Sequence, residues 1–342
     1  MWRSAQGKFE MISTIIPTYN RSRTLVQALH SLQEQNLSEF EIIVVDNAAD
    51  SKVEQTVNEF NQTAKVLVRY VPEPRLGLHN ARHAGARAAK GDVLLFTDDD
   101  ATFDPNWLRA YKDAFEVHPE MVAAGGPVRP VWEAPPPQWL LDFMAREEYM
   151  GGDTKTFGFL SLMDLYEQFH LHPQDYFYGV NMATRRNVLF EVGGFNPEAV
   201  GEVWVGDGET GLIRKLWKRG MLIGYVPEAI VYHHIPPQRM TAKYFRHRQA
   251  NEGACDIYAD FHNGLPTRLR LCKHAAALAI KNSKAWATAL LLRDRTDARS
   301  LHIQMDAARS QSRLRYAIRL ITDRSLRELV LKEDWLNSER QQ

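Results

Sequence analysis

In the first 130 residues, short apolar runs alternate strictly with segments whose apolar residues recur at helical spacing. That alternation limits the architectures open to the chain. Ile12–Ile16 is a β-branched run that stops at Pro17. Leu25, Ala28, Leu29 and Leu32 then share one helical face, with Asn20 or Ser22 expected as the cap. A second strand is expected at Glu41–Val45, ending at Asp46-Asn47, and Val53, Val57 and Phe60 mark a second helix. A third strand is expected at Val66–Val71, closed by Pro72 and Pro74. It is followed by an Ala-rich helix over 79–90 that ends at Gly91. Val93–Phe96 is the fourth strand and runs directly into Asp98-Asp99-Asp100. These strands are continuously apolar, so both faces should be covered. The expected fold class is α/β, a mostly parallel sheet with helices on either side.

Pro127 to Pro137 reads as a Pro-rich break, and residues 138–172 read as helices and loops. Gly193 to Tyr225 reads as loop, helix (Leu212, Leu216 and Trp217 on one face) and strand. From about Leu265 the composition shifts to Ala, Leu and Arg at helical spacing, which predicts a separate helical tail.

Composition excludes several classes. The 42 Lys plus Arg balance the 42 Asp plus Glu, so a generally basic nucleic-acid surface is not expected. The two cysteines, Cys255 and Cys272, lie too far apart for a Cys-x-x-Cys zinc site, and a reducing cytosol suits them. The opening residues lack the apolar core of a signal peptide. No apolar run reaches the roughly 18 residues of a membrane span. The chain is expected to be cytoplasmic, soluble or peripheral on the inner face of a membrane. Gly-x-Gly-x-x-Gly after the first strand, a phosphate-binding Gly-Lys-Ser/Thr loop and His-Glu-x-x-His are all absent.

In an open parallel sheet, ligands bind beyond the carboxyl ends of the strands. Four polar signals lie at such ends: Pro17-Thr-Tyr-Asn20, Asp46-Asn47, Pro74-Arg-Leu-Gly77 and Asp98-Asp-Asp100. The triple aspartate is the sharpest. Adjacent carboxylates repel one another, and a hard cation such as Mg2+ or Mn2+ relieves that while keeping places for phosphate oxygens. A solvated acidic turn is the plainer reading.

Ser13–Arg21, Ile43–Ala48, Gly77–Gly85 and Gly91–Asp100 resemble the opening of the family 2 inverting glycosyltransferases of GT-A fold. Asn181–Arg186, Val192–Phe195, Gly206–Leu212 and Pro227–His234 resemble that family's second half. The resemblance spans roughly residues 11–250. It implies a Rossmann-like nucleotide-sugar-binding half over 11–128 and an acceptor-binding, catalytic half over 129–250. An N-terminal extension over 1–10 and a helical C-terminal segment over 251–342 flank them. It further implies that Pro17, Thr18 and Tyr19 line a nucleoside pocket and that Asp46 bonds the base. Arg75 and Arg82 would lie near the nucleotide and its diphosphate. Asp98, Asp99 and Asp100 would form the metal and ribose site, with Asp98 and Asp100 as metal ligands and His233 or His234 completing the shell. The implied cofactor is Mn2+ or Mg2+, and the implied donor a nucleotide-diphosphate sugar, a UDP-sugar foremost.

Two departures from the family stand out. His83 follows Ala81-Arg82 where the family often has asparagine. The family's acidic pair is here Gly206-Asp-Gly-Glu209, with a glycine between the carboxylates. Asp207 suits a helix cap by propensity. Counting back from Arg214 puts Gly208 at the family's usual base position. Glu209 is therefore the expected base, reaching from one residue further on, with Asp207 supporting the acceptor site or the helix start. The expected reaction is a single displacement with inversion at the sugar's anomeric carbon. A nucleotidyltransferase and a non-catalytic sugar-nucleotide-binding protein are the alternatives. The basic residues beside Leu269, Leu271, Ala275, Leu278, Leu290 and Leu291 suggest weak peripheral membrane contact; packing on the catalytic domain or a second subunit is the alternative.

Overall fold

A computed structural model describes residues 11–48, 51–145, 156–200, 203–204, 206–264 and 267–337, so the expected extension over 1–10 lies outside it. The expected alternation opens the fold: strands β1 (Ile12–Thr18), β2 (Phe40–Asp46), β3 (Val68–Pro72) and β4 (Val93–Phe96) are joined by helices α1 (Ser22–Gln33), α2 (Ser51–Asn61) and α3 (Leu78–Ala88). β1 pairs in parallel with β2 and β4, and β2 with β3. Ile12, Ile16, Ile42, Val44 and Leu95 pack on one face with Leu25, Leu29 and Leu32 of α1. Ile15, Ile43, Val45, Leu94 and Phe96 pack on the other with Ala81 and Ala86 of α3. Both faces are covered, which is why the strands are apolar throughout.

The chain continues through β5 (Ala101–Phe103), α4 (Trp107–Val117), β6 (Met121–Gly125), β7 (Val128–Trp132) and α5 (Gln138–Met144). Three short strands follow, β8 (Thr156–Phe157), β9 (Leu162–Met163) and β10 (His170–His172). Next come β11 (Met182–Arg185), α6 (Arg186–Glu191), the small pair β12 (Ala199–Val200) and β13 (Val203–Trp204), α7 (Gly208–Lys218), β14 (Leu222–Tyr225) and β15 (Val231–Ile235). The main sheet has the order β10-β14-β6-β11-β4-β1-β2-β3, with β11 antiparallel to its neighbours. A second sheet, β5-β15-β7-β9-β8, lies beyond the acidic run.

Several local expectations change. Neither Asn20 nor Ser22 caps α1; Arg21 is the cap residue and makes no side-chain cap bond. Asn20 adopts the left-handed conformation instead, with φ 56°. α3 ends at Ala88, before Gly91, whose N–H donates to Ser13 Oγ at 2.8 Å. β3 starts at Val68 because the Gln33 side chain holds both backbone groups of Val66, at 2.8 and 3.0 Å. The stretch 138–172 contains strands as well as α5, and the Pro127–Pro137 break carries β7.

Helices α8 (Ala242–Asn263), α9 (Arg268–Leu291), α10 (Ala298–Thr322) and α11 (Arg324–Val330) share a core of Ile257, Tyr258, Phe261, Leu271, Tyr316 and Leu320. They are not detached. Phe245 of α8 stacks on Phe159 with ring centroids 4.9 Å apart, among Phe143 and Phe157. After α11 the chain returns to the main domain. There Trp335 N donates to Gly193 O at 2.9 Å, Arg87 to Leu336 O at 2.7 Å and Asn337 Nδ2 to Phe190 O at 2.9 Å.

Candidate active site

The carboxyl ends of β1, β2 and β4 open onto a cavity of about 560 Å³, lined by Pro17, Thr18, Tyr19, Asn47 and Asp98–Asp100 with Arg21 and Arg239. Thr18 Oγ1 donates to Asp99 at 2.6 Å, and Arg21 reaches Asp99 at 3.2 Å and Asp100 at 3.0 Å. Arg239 donates to the same Asp100 Oδ2 at 2.8 Å. Burial pushes Asp99 up to about 6, against the pull of Thr18 and Arg21. Burial also raises Asp98; the Arg82 guanidinium opposes the rise and Asp100 adds to it. For Asp100 the balance reverses. Burial acts upward, yet His233, Arg239 and Arg21 together hold it well below the usual carboxylate range.

His233 and His234 alternate along β15, and so part company. His233 Nδ1 donates to Leu160 O at 2.9 Å while its Nε2 accepts from Arg239 at 2.7 Å and lies 3.5 Å from Asp100 Oδ1. The His234 ring turns to Thr102 Oγ1 at 3.0 Å. Asp100 Oδ1 is buried and makes no hydrogen bond. Together with Asp98 in the same cavity, that orphaned oxygen suits a hard divalent cation. No group of three metal-binding side chains occurs among the described residues, so phosphate and water oxygens would supply the remaining ligands.

Two expected contacts are engaged elsewhere. The buried Asp46 carboxylate accepts from Ala48 N at 3.0 Å and Tyr70 OH at 2.9 Å. Arg75 folds back in a bidentate pair with Glu73, at 2.8 and 2.7 Å. Asn47 takes up the role of shaping this wall: its side chain bonds Glu73 O, Arg75 O and Gly77 N at 2.8–2.9 Å.

A second cavity, of about 310 Å³, opens beside the first and carries Tyr176, Tyr178, Glu198, Asp207, Glu209 and Arg214. Its far wall is α8, through Arg248, Glu252 and Asp256, so the helical segment contributes to the site. Asp207 stands at the cap position of α7 without making a cap bond. Its oxygens instead accept from Asn196 Nδ2 at 2.9 Å and Arg214 at 2.8 Å. Glu209, in the first turn, lies 3.5 Å from Arg82.

Arg82 joins the two cavities. Its buried guanidinium is 3.8 Å from Asp98, 3.5 Å from Glu209 and 3.7 Å from Glu198. A Cβ at Gly179 would come within 2.3 Å of it, so a glycine makes the room. His83, the departure from the family, works behind the site. Its Nε2 accepts from Phe195 N at 2.9 Å, bracing the turn that leads to Asn196 and Glu198. Burial first, and then neighbouring cations, hold His83 well below its ordinary value, consistent with a neutral ring.

Sequence reasoning missed Arg21, Arg239, Glu198 and Arg248 as site residues. Arg21 closes the Ser13–Arg21 motif and Arg239 follows His233-His234 by five residues, so both carried a signal. Glu198 and Arg248 carried none.

Residues 13–191 match the sequence profile of glycosyl transferase family 2. A glucosyl-dolichyl phosphate glucuronosyltransferase from Haloferax volcanii is 29% identical over 189 residues, 54% of this chain and 56% of the relative. A chondroitin synthase from Escherichia coli is 27% identical over 248 residues, 66% of this chain and 35% of the relative. The chain thus spans less than two thirds of the length of these curated relatives. Among solved structures, a mannosyltransferase from Pyrobaculum calidifontis in complex with GDP-Man and Mn2+ aligns with TM-score 0.53 at 20% identity, covering 93% of this chain and 89% of that one. That likeness bears out the GT-A fold, a mostly parallel sheet with a helical C-terminal part.

Proposed function

The chain belongs to glycosyl transferase family 2, and from that premise we propose that it moves a sugar from a nucleotide-diphosphate donor onto an acceptor hydroxyl. The observation that carries this reading is the continuity through Arg82, which touches Asp98 of one cavity and Glu209 of the other. The nucleotide would lie against Pro17, Thr18 and Tyr19, with its diphosphate toward Asp98–Asp100 and Arg239. Asp98 and Asp100 would hold Mn2+ or Mg2+, whose positive charge helps a diphosphate depart. Arg239 and Arg82 add fixed cationic charge on the same side. Glu209 accepts the acceptor hydroxyl's proton as that oxygen attacks the anomeric carbon, and a single displacement of this kind inverts it. Asp207 is the poorer base, because Asn196 and Arg214 already occupy both its oxygens.

The Mn2+ and GDP-Man in the mannosyltransferase complex support the metal and donor class, and a UDP-sugar remains the first donor to try. Family membership speaks against a nucleotidyltransferase, and the Glu209–Arg82–Asp98 continuity speaks against a protein that only binds sugar nucleotides. The test is a panel of UDP- and GDP-sugars, with and without Mn2+, scored for sugar transfer and nucleoside-diphosphate release. Release from no donor under any metal condition would overturn the reading.

A weaker partner is also proposed. No helix among the described residues is long and apolar enough to cross a membrane. α9, however, exposes Leu269, Ile280, Leu290 and Leu291 beside Arg268, Arg270, Lys273, Lys281 and Lys284, with no acidic residue in its length. An anionic bilayer surface, on the inner face of a cytoplasmic membrane, fits that face.

A further inference from the structure

The glycine that separates Asp207 from Glu209 has a structural cause. Gly208 has φ +50°, and a Cβ there would lie 2.5 Å from both Cγ and Oε1 of Glu198. The Glu198 side chain therefore occupies the space a residue at 208 would take. It arrives from the Phe195–Glu198 loop, which is tied to the start of α7 by Asn196 Nδ2 donating to Asp207 at 2.9 Å and Gly206 N donating to Glu198 O at 3.3 Å. Once there, its Oε1 is 3.7 Å from Arg82 Nη1, the same nitrogen that lies 3.5 Å from Glu209 Oε2.

We propose that Glu198 is a positioning residue for the transfer reaction: its carboxyl group, seated in the space Gly208 leaves, holds the one proton of a Glu198–Glu209 pair and keeps the Glu209 carboxylate ionised toward the acceptor cavity. This rests on the reading of Glu209 as base. Charge counting supports it. Arg82 is buried among Glu198, Glu209 and Asp98, which keep 17%, 23% and 34% exposure, and one guanidinium does not offset the mutual repulsion of three carboxylates gathered on it. Arg248 of α8 adds a second cation to the pair, but Glu252 of the same helix adds another acid. Glu198 and Glu209 lie on the same Arg82 nitrogen and each shifts the other's proton affinity, so two carboxyls this close are best met by one shared proton. The proton falls unevenly: burial and Glu209 push Glu198 up to about 8, while for Glu209 the upward effect of burial is outweighed by Arg82 and Glu198. During transfer the acceptor O–H proton passes to Glu209 as the new glycosidic C–O bond forms and the bond to the diphosphate oxygen breaks. Glu198 keeps its own proton, and Glu209 later releases the transferred one to solvent.

The experiment has two arms. In the first, infrared spectra of wild type and Glu198→Gln are compared across pH without any substrate. Wild type should carry a protonated carboxyl at pH 7 that is lost as the pH passes about 8 and is missing from Glu198→Gln. In the second, transfer is measured with UDP- and GDP-sugars, alongside UDP and GDP affinity. Glu198→Ala should lower kcat on the order of tenfold to a hundredfold with nucleotide affinity intact. Glu198→Gln, whose amide imitates the protonated acid, should restore part of that loss and abolish any decline of rate above about pH 8. A Glu198→Gln protein as inactive as Glu209→Gln would overturn the proposal, as would infrared spectra in which it removes no protonated carboxyl. If wild type transfers from no donor, the proposed function falls, and the infrared arm still decides where the proton sits.

Discussion

The donor-side cleft and the acceptor-side cavity are built by different means. Every expected donor-side residue except Arg75, Arg82 and the β15 pair His233-His234 stands at or just beyond a strand end, where parallel pairing fixes the backbone: Thr18 faces Asp46 in register, and β4 leads directly to Asp98. The acceptor side is assembled from α3, a loop, α7 and α8, which only the completed fold brings together. Charge differs as well. On the donor side Asp99 and Asp100 share Arg21, and Asp100 also takes Arg239. On the acceptor side Glu198 and Glu209 share the buried Arg82, with Arg248 of α8 beyond it and Glu252 adding a further acid. On the donor side His233, Arg239 and Arg21 hold Asp100 as an anion, which suits a cation and, through it, a diphosphate. The acceptor side holds a surplus of acid, which suits proton transfer.

The largest effect that could break this comparison is expected at Asp100. Asp100→Ala should lower transfer by about three orders of magnitude or more, since a metal supplies several kcal/mol of charge stabilisation. Calorimetry of UDP or GDP should show that Mn2+ no longer strengthens binding, as chelation with EDTA should in wild type. An Asp100→Ala protein with undiminished metal dependence would move the metal elsewhere.

Next comes Glu209→Gln, expected to cost about 10² to 10⁴ in kcat while nucleotide affinity holds. Asp207→Asn should behave differently. It weakens a charge-assisted bond to Arg214 of about 1.5–3 kcal/mol, so its main readout is a lower melting temperature. Were Asp207→Asn the variant that loses rate with binding intact, the base would be Asp207.

How much the sequence disclosed follows the same division. β1 to β4, the helices between them and the strand-end acids are local consequences of period and of Pro and Asn stops, and they appear in the expected order, with shifts only at the start of β3, the end of α3 and the cap of α1. Arg82 and Glu209 follow from the motif resemblance, but their meeting does not, because it depends on α3 and α7 packing side by side on one face of the sheet. Glu198 carried no signal, since its place is set by what Gly208 lacks. How the C-terminal segment docks was not legible for a similar reason: Glu252 and Asp256 of α8 line the acceptor cavity, and the return of residues 332–337 to Gly193 leaves no periodicity to read.

A smaller effect tests that return. Lys215 of α7 donates from its buried Nζ to Gly194 O and Glu333 O, both at 2.9 Å, clamping the C-terminal strap beside the acceptor loop. Burial lowers Lys215 to about 8, against Asp207, Glu333 and Asp334. Below pH 8 the folded and unfolded chains both hold this proton, and between 8 and 10.5 the unfolded chain holds more. Stability of wild type relative to Lys215→Met should therefore rise with pH across that window, by at most about 3 kcal/mol. Urea unfolding at pH 7.5 and 10 measures it, and a flat difference would mean the lysine is not buried as a clamp.

The smallest effect lies outside both cavities, on α9. Only Leu271, Ala275 and Ala289 of this helix are fully buried, while Ile280 is 79% and Leu291 85% exposed. The outer face thus combines apolar side chains with five cations and no carboxylate, a combination that a neutral bilayer would hold poorly and an anionic one better. Co-sedimentation with phosphatidylserine-containing vesicles should detect weak binding at low salt and little with pure phosphatidylcholine. At 1 M salt the screening length falls to about 3 Å, so the electrostatic part should vanish. Replacing Lys281 and Lys284 by Ala should weaken partitioning roughly thirtyfold, at about 1 kcal/mol per cation. Neither cavity includes these residues, so nucleotide affinity should be unchanged in the double variant. Absence of binding at low salt would return α9 to the plainer role of packing against a second subunit.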